Sequence, residues 1–207
     1  YEGGKLLGAF LNATSDFESS QLIDVIPNFH DMSFRYKEYE SSLQIASKER
    51  LEKAINYKKI VSDLKTEMHI LQELKEAKVI PVRVTHNDTK ISNSLFDNDN
   101  KGICMIDTDT VMPGIIHYDF GDAIRTICNT AAEDEKDLSK VEFNLAYYEA
   151  YEKGFLEKTK DTLFPVSIKY LSLGVKTMIF IMALRFLTDY FNNDVYYKVN
   201  YPEHNLD

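Results

Sequence analysis

Apolar positions recur along most of the chain at the helical interval of three or four residues. Residues 3 to 14 set Leu6, Leu7, Phe10 and Leu11 at that spacing and predict a short helix, followed by a mixed stretch from Ser15 to Asn28 that reads as loop. From Ser47 to Lys78, Ile60, Leu64, Met68, Leu71 and Leu74 predict a long helix with a break near Asn56. The period changes at Pro81: Val82 and Val84 suggest a short strand running into a turn-rich stretch, Asn87 to Asn93. Ser94 to Asp97 and Ile103 to Ile106, joined through Asn98 to Gly102, read as a β-hairpin. If Asp97 pairs with Ile103, Asn93 faces Asp107.

Helices then resume. Asp119 or Asp122 is placed to cap a helix reaching Thr130, and Ser139 to Glu142 matches a capping box before Phe143, Ala146, Tyr147 and Ala150. Gly154 is expected to stop that helix. Pro165 opens a last helix to about Tyr190, apolar nearly all round and therefore expected to be the most buried. The pattern predicts an α+β chain, mainly α, forming a single unit over residues 1–207 with one small hairpin.

Composition narrows the function classes. With 207 residues, 44% of them apolar, the chain can bury a sizeable core. Its longest uninterrupted apolar run, Met178 to Leu184, is too short to cross a bilayer, so no membrane association is expected. The first residue is Tyr1 and no basic flank precedes an apolar stretch, which predicts no signal peptide and a chain cut from something longer. Cys104 and Cys128 fit neither a zinc nor a redox spacing; Cys104, inside the run Ile103 to Ile106, is expected to be buried and inert, and a reducing cytoplasm fits. A net charge of −9 argues against a nucleic-acid surface, and means that an anionic nucleotide would approach only with metal ions.

His86-Asn87-Asp88-Thr89-Lys90-Ile91-Ser92-Asn93 has the form H-x-D-x-x-x-x-N, the spacing of a kinase catalytic loop. Phosphoryl transfer needs a carboxylate to orient the attacking hydroxyl and accept its proton, the role assigned to Asp88. It also needs oxygen ligands that hold Mg2+ on the phosphates of ATP, assigned to Asn93 and Asp107 as cross-strand neighbours. His86 is assigned to bracing the loop rather than to proton transfer. Tyr118-Asp119-Phe120-Gly121-Asp122 contains a literal D-F-G, but it lies beyond the hairpin, so Asp119 and Asp122 are read as helix caps or braces for the loop. Asp109 is either a supporting carboxylate or simply exposed.

Together these residues resemble a known family. Thr85 to Lys90, Cys104 to Gly114 with its Asp-Thr-Asp-Thr-Val-Met-Pro-Gly segment, Tyr118 to Asp122, Ile26 to His30 and Ala183 to Tyr190 are similar to the N-acetylhexosamine 1-kinases. These belong to the aminoglycoside phosphotransferase and choline kinase superfamily. The resemblance implies the C-terminal lobe of the protein kinase-like fold, with Asp88 as base and Asn93 and Asp107 on Mg2+. It places Thr110, Arg185 and Tyr196 near a small sugar acceptor. For Arg185 a buried ion pair with Asp122 or Glu142 is an equal alternative, and Tyr196 is as readily structural. Choline, a hydroxyamino acid or an aminoglycoside as acceptor, and a non-catalytic module derived from a kinase, stay open.

Two observations limit the resemblance. Kinases of this kind carry an N-terminal lobe with a β-sheet, a phosphate-covering loop and a phosphate-binding lysine. Nothing before His86 matches it, so the nucleotide-binding lobe is expected to be absent and the chain alone to bind ATP weakly. A sulfatase is excluded, because neither cysteine begins a C-x-P-x-R sequence.

Overall fold

The computed structural model describes residues 1–131 and 135–206. Among the described residues eight α-helices and four short strands follow one another: α1 (Glu2–Ala13), α2 (Met32–Ile45), α3 (Lys48–Lys53), α4 (Ile55–Glu76), β1 (Arg83–Thr85), β2 (Ser94–Phe96), β3 (Gly102–Met105), β4 (Met112–Gly114), α5 (Ile116–Ile127), α6 (Leu145–Thr159), α7 (Pro165–Lys169) and α8 (Leu171–Phe191). The architecture is α+β and mainly α, as the apolar spacing predicts.

Two apolar clusters share α8. One, with Met32, Tyr36, Met68, Leu71, Leu184 and Phe191, lies among α2, α4 and α8; the other, with Leu7, Leu11, Phe120, Ile124, Phe155 and Val175, lies among α1, α5, α6 and the start of α8. Each fully buried Leu or Phe contributes roughly 1.5 to 3 kcal/mol, so these two seams set the relative positions of the helices. Helix α8 is 21 residues long and apolar enough, by length and composition, to cross a membrane, a property that the search for an uninterrupted run does not reveal because Arg185 interrupts it. Here it is a core helix: Leu171, Met178, Ile181 and Leu184 are buried between α5 and the α2–α4 pair.

The structure corrects several sequence expectations. Helix α2 escapes an aliphatic pattern because its inward face is Met32, Tyr36, Tyr39 and Ser42. The expected break near Asn56 falls at Ala54. Pro165 opens only the short α7, and the chain turns at Tyr170 before α8. Ser139 caps no helix: it lies in a 3-10 turn held by Asp137, while Asn144 caps α6 by accepting the N–H of Tyr147.

The inward face of α6 is Tyr151, Gly154, Phe155 and Thr159, whereas Phe143 and Tyr147 are exposed. Gly154 does not stop the helix. A Cβ there would lie 2.1 Å from the Tyr1 carbonyl oxygen, so the glycine allows α1 and α6 to touch. Cys104 is exposed, not buried; on β3 it is the neighbouring Met105 that packs against the second cluster.

Candidate active site

Strand β1 pairs antiparallel with β4, Thr85 opposite Met112, and delivers the chain into the loop from His86 to Asn93. His86, Asn87, Thr89 and Asn93 are buried, so the loop's backbone donors need protein partners. Helix α5 supplies them. Asp119 accepts the N–H of His86 at 2.8 Å through Oδ2 and of Asn87 at 2.7 Å through Oδ1. One turn on, Asp122 accepts the N–H of Thr89 at 2.8 Å and the Nε of Arg125 at 2.8 Å.

The spacing of the two aspartates puts them on one face of α5, toward the loop. Neither caps the helix, which starts at Ile116 without a side-chain cap. Burial pushes the Asp119 carboxyl up to about 7, against the pull of its two N–H donors. Burial likewise raises Asp122, and Arg125 offsets part of the rise. Each Asp119 oxygen accepts a loop N–H and the side chain is fully buried, which commits it to holding the loop backbone.

The rest of the loop is fixed by its own side chains. His86 Nε2 donates to the Ile106 carbonyl at 3.0 Å, its ring meets Phe10 edge-on, and its own carbonyl accepts the Thr110 hydroxyl at 2.7 Å. Asn87 sits in the left-handed region at φ 64°, which Asn tolerates better than most residues, and donates Nδ2 to Thr85 Oγ1 at 2.9 Å and to the Thr110 carbonyl at 3.1 Å. Gly114 leaves room for this packing, since a Cβ there would stand 2.3 Å from Thr85 Oγ1. Thr110 is thus committed to the loop by both its hydroxyl and its carbonyl.

Asp88 is half-buried at the turn. Its Oδ2 accepts Lys90 Nζ at 2.8 Å and Asn93 Nδ2 at 2.9 Å, while Oδ1 has no donor among the described residues. Hydrogen bonding to Asp88, with the added charges of Asp107 and Asp122, raises the Lys90 ammonium pKa, so the lysine draws these carboxylates into one electrostatic cluster.

The hairpin register differs from expectation by one residue. Ser94 pairs with Met105, and the Ile106 N–H reaches the Asn93 carbonyl at 2.9 Å, so Asn93 faces Ile106 rather than Asp107. The cause is a tighter turn: Asp97 Oδ1 accepts the N–H groups of Asp99 and Lys101, and the Asp97 N–H closes on the Lys101 carbonyl. A bulge between Leu95 and Phe96 recovers only one of the two residues of slip. Asp107 lies just past β3 at φ 64°, ψ 58°, exposed and within electrostatic reach of Lys90.

No group of three or more His, Cys, Asp or Glu suited to a metal occurs among the described residues. Asn93 and Asp107 still fit magnesium: Asn93 commits its amide hydrogens to Asp88 and keeps its carbonyl oxygen, and Asp107 adds one carboxylate. Mg2+ typically takes one or two protein carboxylates and completes its shell with water and phosphate oxygens.

Of two hollows, one borders the loop and the other lies beside Arg185. One, of about 990 Å3, is lined by Lys90, Arg125, Phe143, Ala183, Phe186 and Tyr197 among others. The second, of about 790 Å3, includes Phe29, Arg35, Arg185, Tyr196 and Tyr197. Arg185 makes no ion pair with Asp122 or Glu142; its guanidinium lies 5.6 Å from the Phe29 ring, 5.7 Å from Tyr197 and 5.9 Å from Tyr196. Tyr196 is 73% exposed.

Phe29 stacks on His30 at 4.3 Å, and the Asn87 side chain lies against His30, so the Arg185 cluster connects to the loop. Burial, with the nearby charges of Arg185 and Arg35, lowers the His30 pKa to about 3 and keeps it neutral. Sequence reasoning assigned no role to His30, nor to Asp189. Asp189 accepts the N–H groups of Val195, Tyr196 and Tyr197 and the amide of Asn205, and so fixes the segment that carries Tyr196.

Residues 4–158 match the sequence profile of the phosphotransferase enzyme family, and the chain belongs to that family. The match covers Asp88, Asn93, Asp107, Asp119 and Asp122 but ends before Arg185 and Tyr196.

Proposed function

We propose that this phosphotransferase uses Asp88 to activate a hydroxyl on a small molecule and transfers to it the terminal phosphoryl group of ATP. The observation that carries the reading is the asymmetry of the Asp88 carboxylate. Lys90 and Asn93 hold Oδ2, which fixes the plane of the group, and Oδ1 is left to accept a hydroxyl proton. Asn93 and Asp107 would hold magnesium, which when bound neutralises phosphate charge and orients the nucleotide. Asp119 and Asp122 keep the loop in shape without touching the reactants.

The acceptor assigned is N-acetylglucosamine or N-acetylgalactosamine, phosphorylated at its anomeric hydroxyl. Arg185, with no carboxylate partner among the described residues, supports a neutral, oxygen-rich ligand, and Tyr196 is the adjacent polar contact. A second reading has its own support. The larger hollow sets Glu135 and Glu142 beside Tyr57, Phe143, Phe186 and Tyr197, a combination that suits a cationic acceptor such as choline or an aminoglycoside, although Lys90, Arg125 and Lys198 share the same walls. Steady-state kinetics over a panel of hexosamines, choline and aminoglycosides separates the two by kcat/KM.

Before His86 the described residues carry no glycine-rich loop between paired strands, so the reading assigns the remaining nucleotide contacts to a lobe outside residues 1–207. Activity is therefore measured on the protein that includes that lobe. Asp88→Asn should lower kcat by roughly a hundredfold or more, the scale of a positioned general base, with the melting temperature little changed. An Asp88→Asn enzyme with near-normal kcat would place the base elsewhere.

A further inference from the structure

Asp189 lies in the last turn of α8, where the helix dipole disfavours a negative charge. It is 4% exposed, and no cation pairs with it among the described residues. Helix stability therefore does not account for a carboxylate at this position. Its oxygens are directed at the chain that follows. Oδ1 accepts the N–H of Val195 at 3.1 Å and of Tyr196 at 2.8 Å, and Oδ2 accepts the N–H of Tyr197 at 2.9 Å and the Asn205 amide at 2.9 Å.

Residues 192–206 form neither helix nor strand, so no regular ladder fixes their path. Asn193 at φ 70° and Asp194 at φ 58° turn the chain back, and the Asp194 N–H closes on the Asp189 carbonyl at 2.9 Å. Arg50 anchors the turn through Asp194 at 2.7 Å. What Asp189 holds is a wall: Tyr197 is the residue that the two hollows share, and Tyr196 lines the smaller one together with Arg185 and Asp189. Asp189 follows Arg185 by four residues, so both lie on one face of α8. One turn supplies the guanidinium, and the next supplies the acceptor that sets Tyr197 at 5.7 Å and Tyr196 at 5.9 Å from it. Ring contacts alone would let the tyrosine pair slide along α8, whereas three N–H bonds to one side chain fix its register.

We propose that Asp189 is a positioning residue for the acceptor, fixing Tyr196 and Tyr197 against Arg185. The inference rests on the reading that puts the acceptor beside Arg185. The device lies outside residues 4–158, the part matched to the family.

The test is a double-mutant cycle on the protein that includes the nucleotide-binding lobe proposed above. The acceptor is N-acetylglucosamine or N-acetylgalactosamine, whichever the native protein phosphorylates faster. Asp189→Asn keeps the shape of the side chain but turns an NH2 group toward two of the four donors. It should raise the acceptor KM roughly fivefold or more, the scale of a lost hydrogen bond, while kcat and the KM for ATP stay within about twofold. In an Arg185→Ala background the same substitution should change the acceptor KM by less than about twofold, because residues that act on one contact are not additive. Asn205→Ala removes a single side-chain donor from Oδ2; it should act in the same direction more weakly, and it replaces Asp189→Asn in the cycle if that variant does not fold. An acceptor KM unchanged in the folded variants, equal rises in both KM values, or full additivity with Arg185→Ala would reduce Asp189 to structural support and overturn the inference. If Arg185→Ala alone leaves the acceptor KM unchanged, or the native protein phosphorylates neither sugar, the reading of the acceptor site fails and the inference with it.

Discussion

The loop from His86 to Asn93 and the cluster around Arg185 are connected through Phe29 and His30, yet they are held in opposite ways. The N–H groups of His86, Asn87 and Thr89 end on buried carboxylates of α5, and the His86 carbonyl accepts the Thr110 hydroxyl. Arg185 is held by ring faces and the Met182 sulfur, and Tyr196 is largely exposed. The loop has its geometry over-determined by directional bonds to its own backbone; in the other region Asp189 fixes the backbone of the segment that carries Tyr196, while the Arg185 guanidinium itself is held only by ring faces and a sulfur. A family can therefore keep the position of its base while changing what the base acts on.

The contrast predicts a graded set of effects. Asp119→Ala removes one acceptor from two buried N–H groups, which should cost roughly 2 to 6 kcal/mol at about 1 to 3 per orphaned donor, as read by urea denaturation. Arg185→Ala should leave stability within about 1 kcal/mol. It should raise the acceptor KM by roughly tenfold or more, the effect of losing a hydrogen bond to a charged group. If instead Arg185→Ala unfolds the protein and Asp119→Ala does not, the contrast is reversed.

A pH experiment sharpens the same comparison. The Asp119 pKa is raised to about 7 in the folded protein, so between about pH 4 and 7 the folded state holds its proton more tightly than the unfolded chain. The group's contribution to stability is thus greatest below that window and declines as pH rises through it. Asp119→Asn cannot titrate. The stability margin of the native protein over Asp119→Asn should therefore be larger near pH 4.5 than near pH 7.5. A margin independent of pH would show that Asp119 is already ionised throughout. The smallest effect is expected from Tyr196→Phe: a KM change worth less than about 1 kcal/mol, because an exposed hydroxyl exchanges one partner for water.

Much of the loop was legible because its logic is local. H-x-D-x-x-x-x-N fixes which residues share one turn, and the spacing of Asp119 and Asp122 puts both on one helical face. Distant contacts were not legible. The hairpin slipped by one residue because the Asp97 side chain tightens its turn, a choice that alternating apolar positions cannot encode. Strand β4 escaped notice because Met112, Pro113 and Gly114 carry no strand pattern and pair with β1 only through long-range register. Arg185 was read as either a ligand contact or an ion pair, whereas its rings come from Phe29 and from Tyr196 and Tyr197 beyond α8. Asp189 gave no signal at all, since its donors arrive on a segment with no periodicity.

On the proposed reading Asp88, Asn93 and Asp107 form the reaction centre while the D-F-G aspartate, Asp119, only shapes the loop. Its most direct test is the magnesium dependence of nucleotide binding, measured by titration on the protein together with the nucleotide-binding lobe proposed above. Asp107→Ala should abolish transfer and remove the magnesium dependence, because Asn93 is neutral and cannot balance phosphate charge alone. Asp119→Asn should lose stability but keep that dependence in the folded fraction. A magnesium requirement that survives Asp107→Ala and disappears with Asp119→Asn would contradict the account and assign the metal to the D-F-G aspartate.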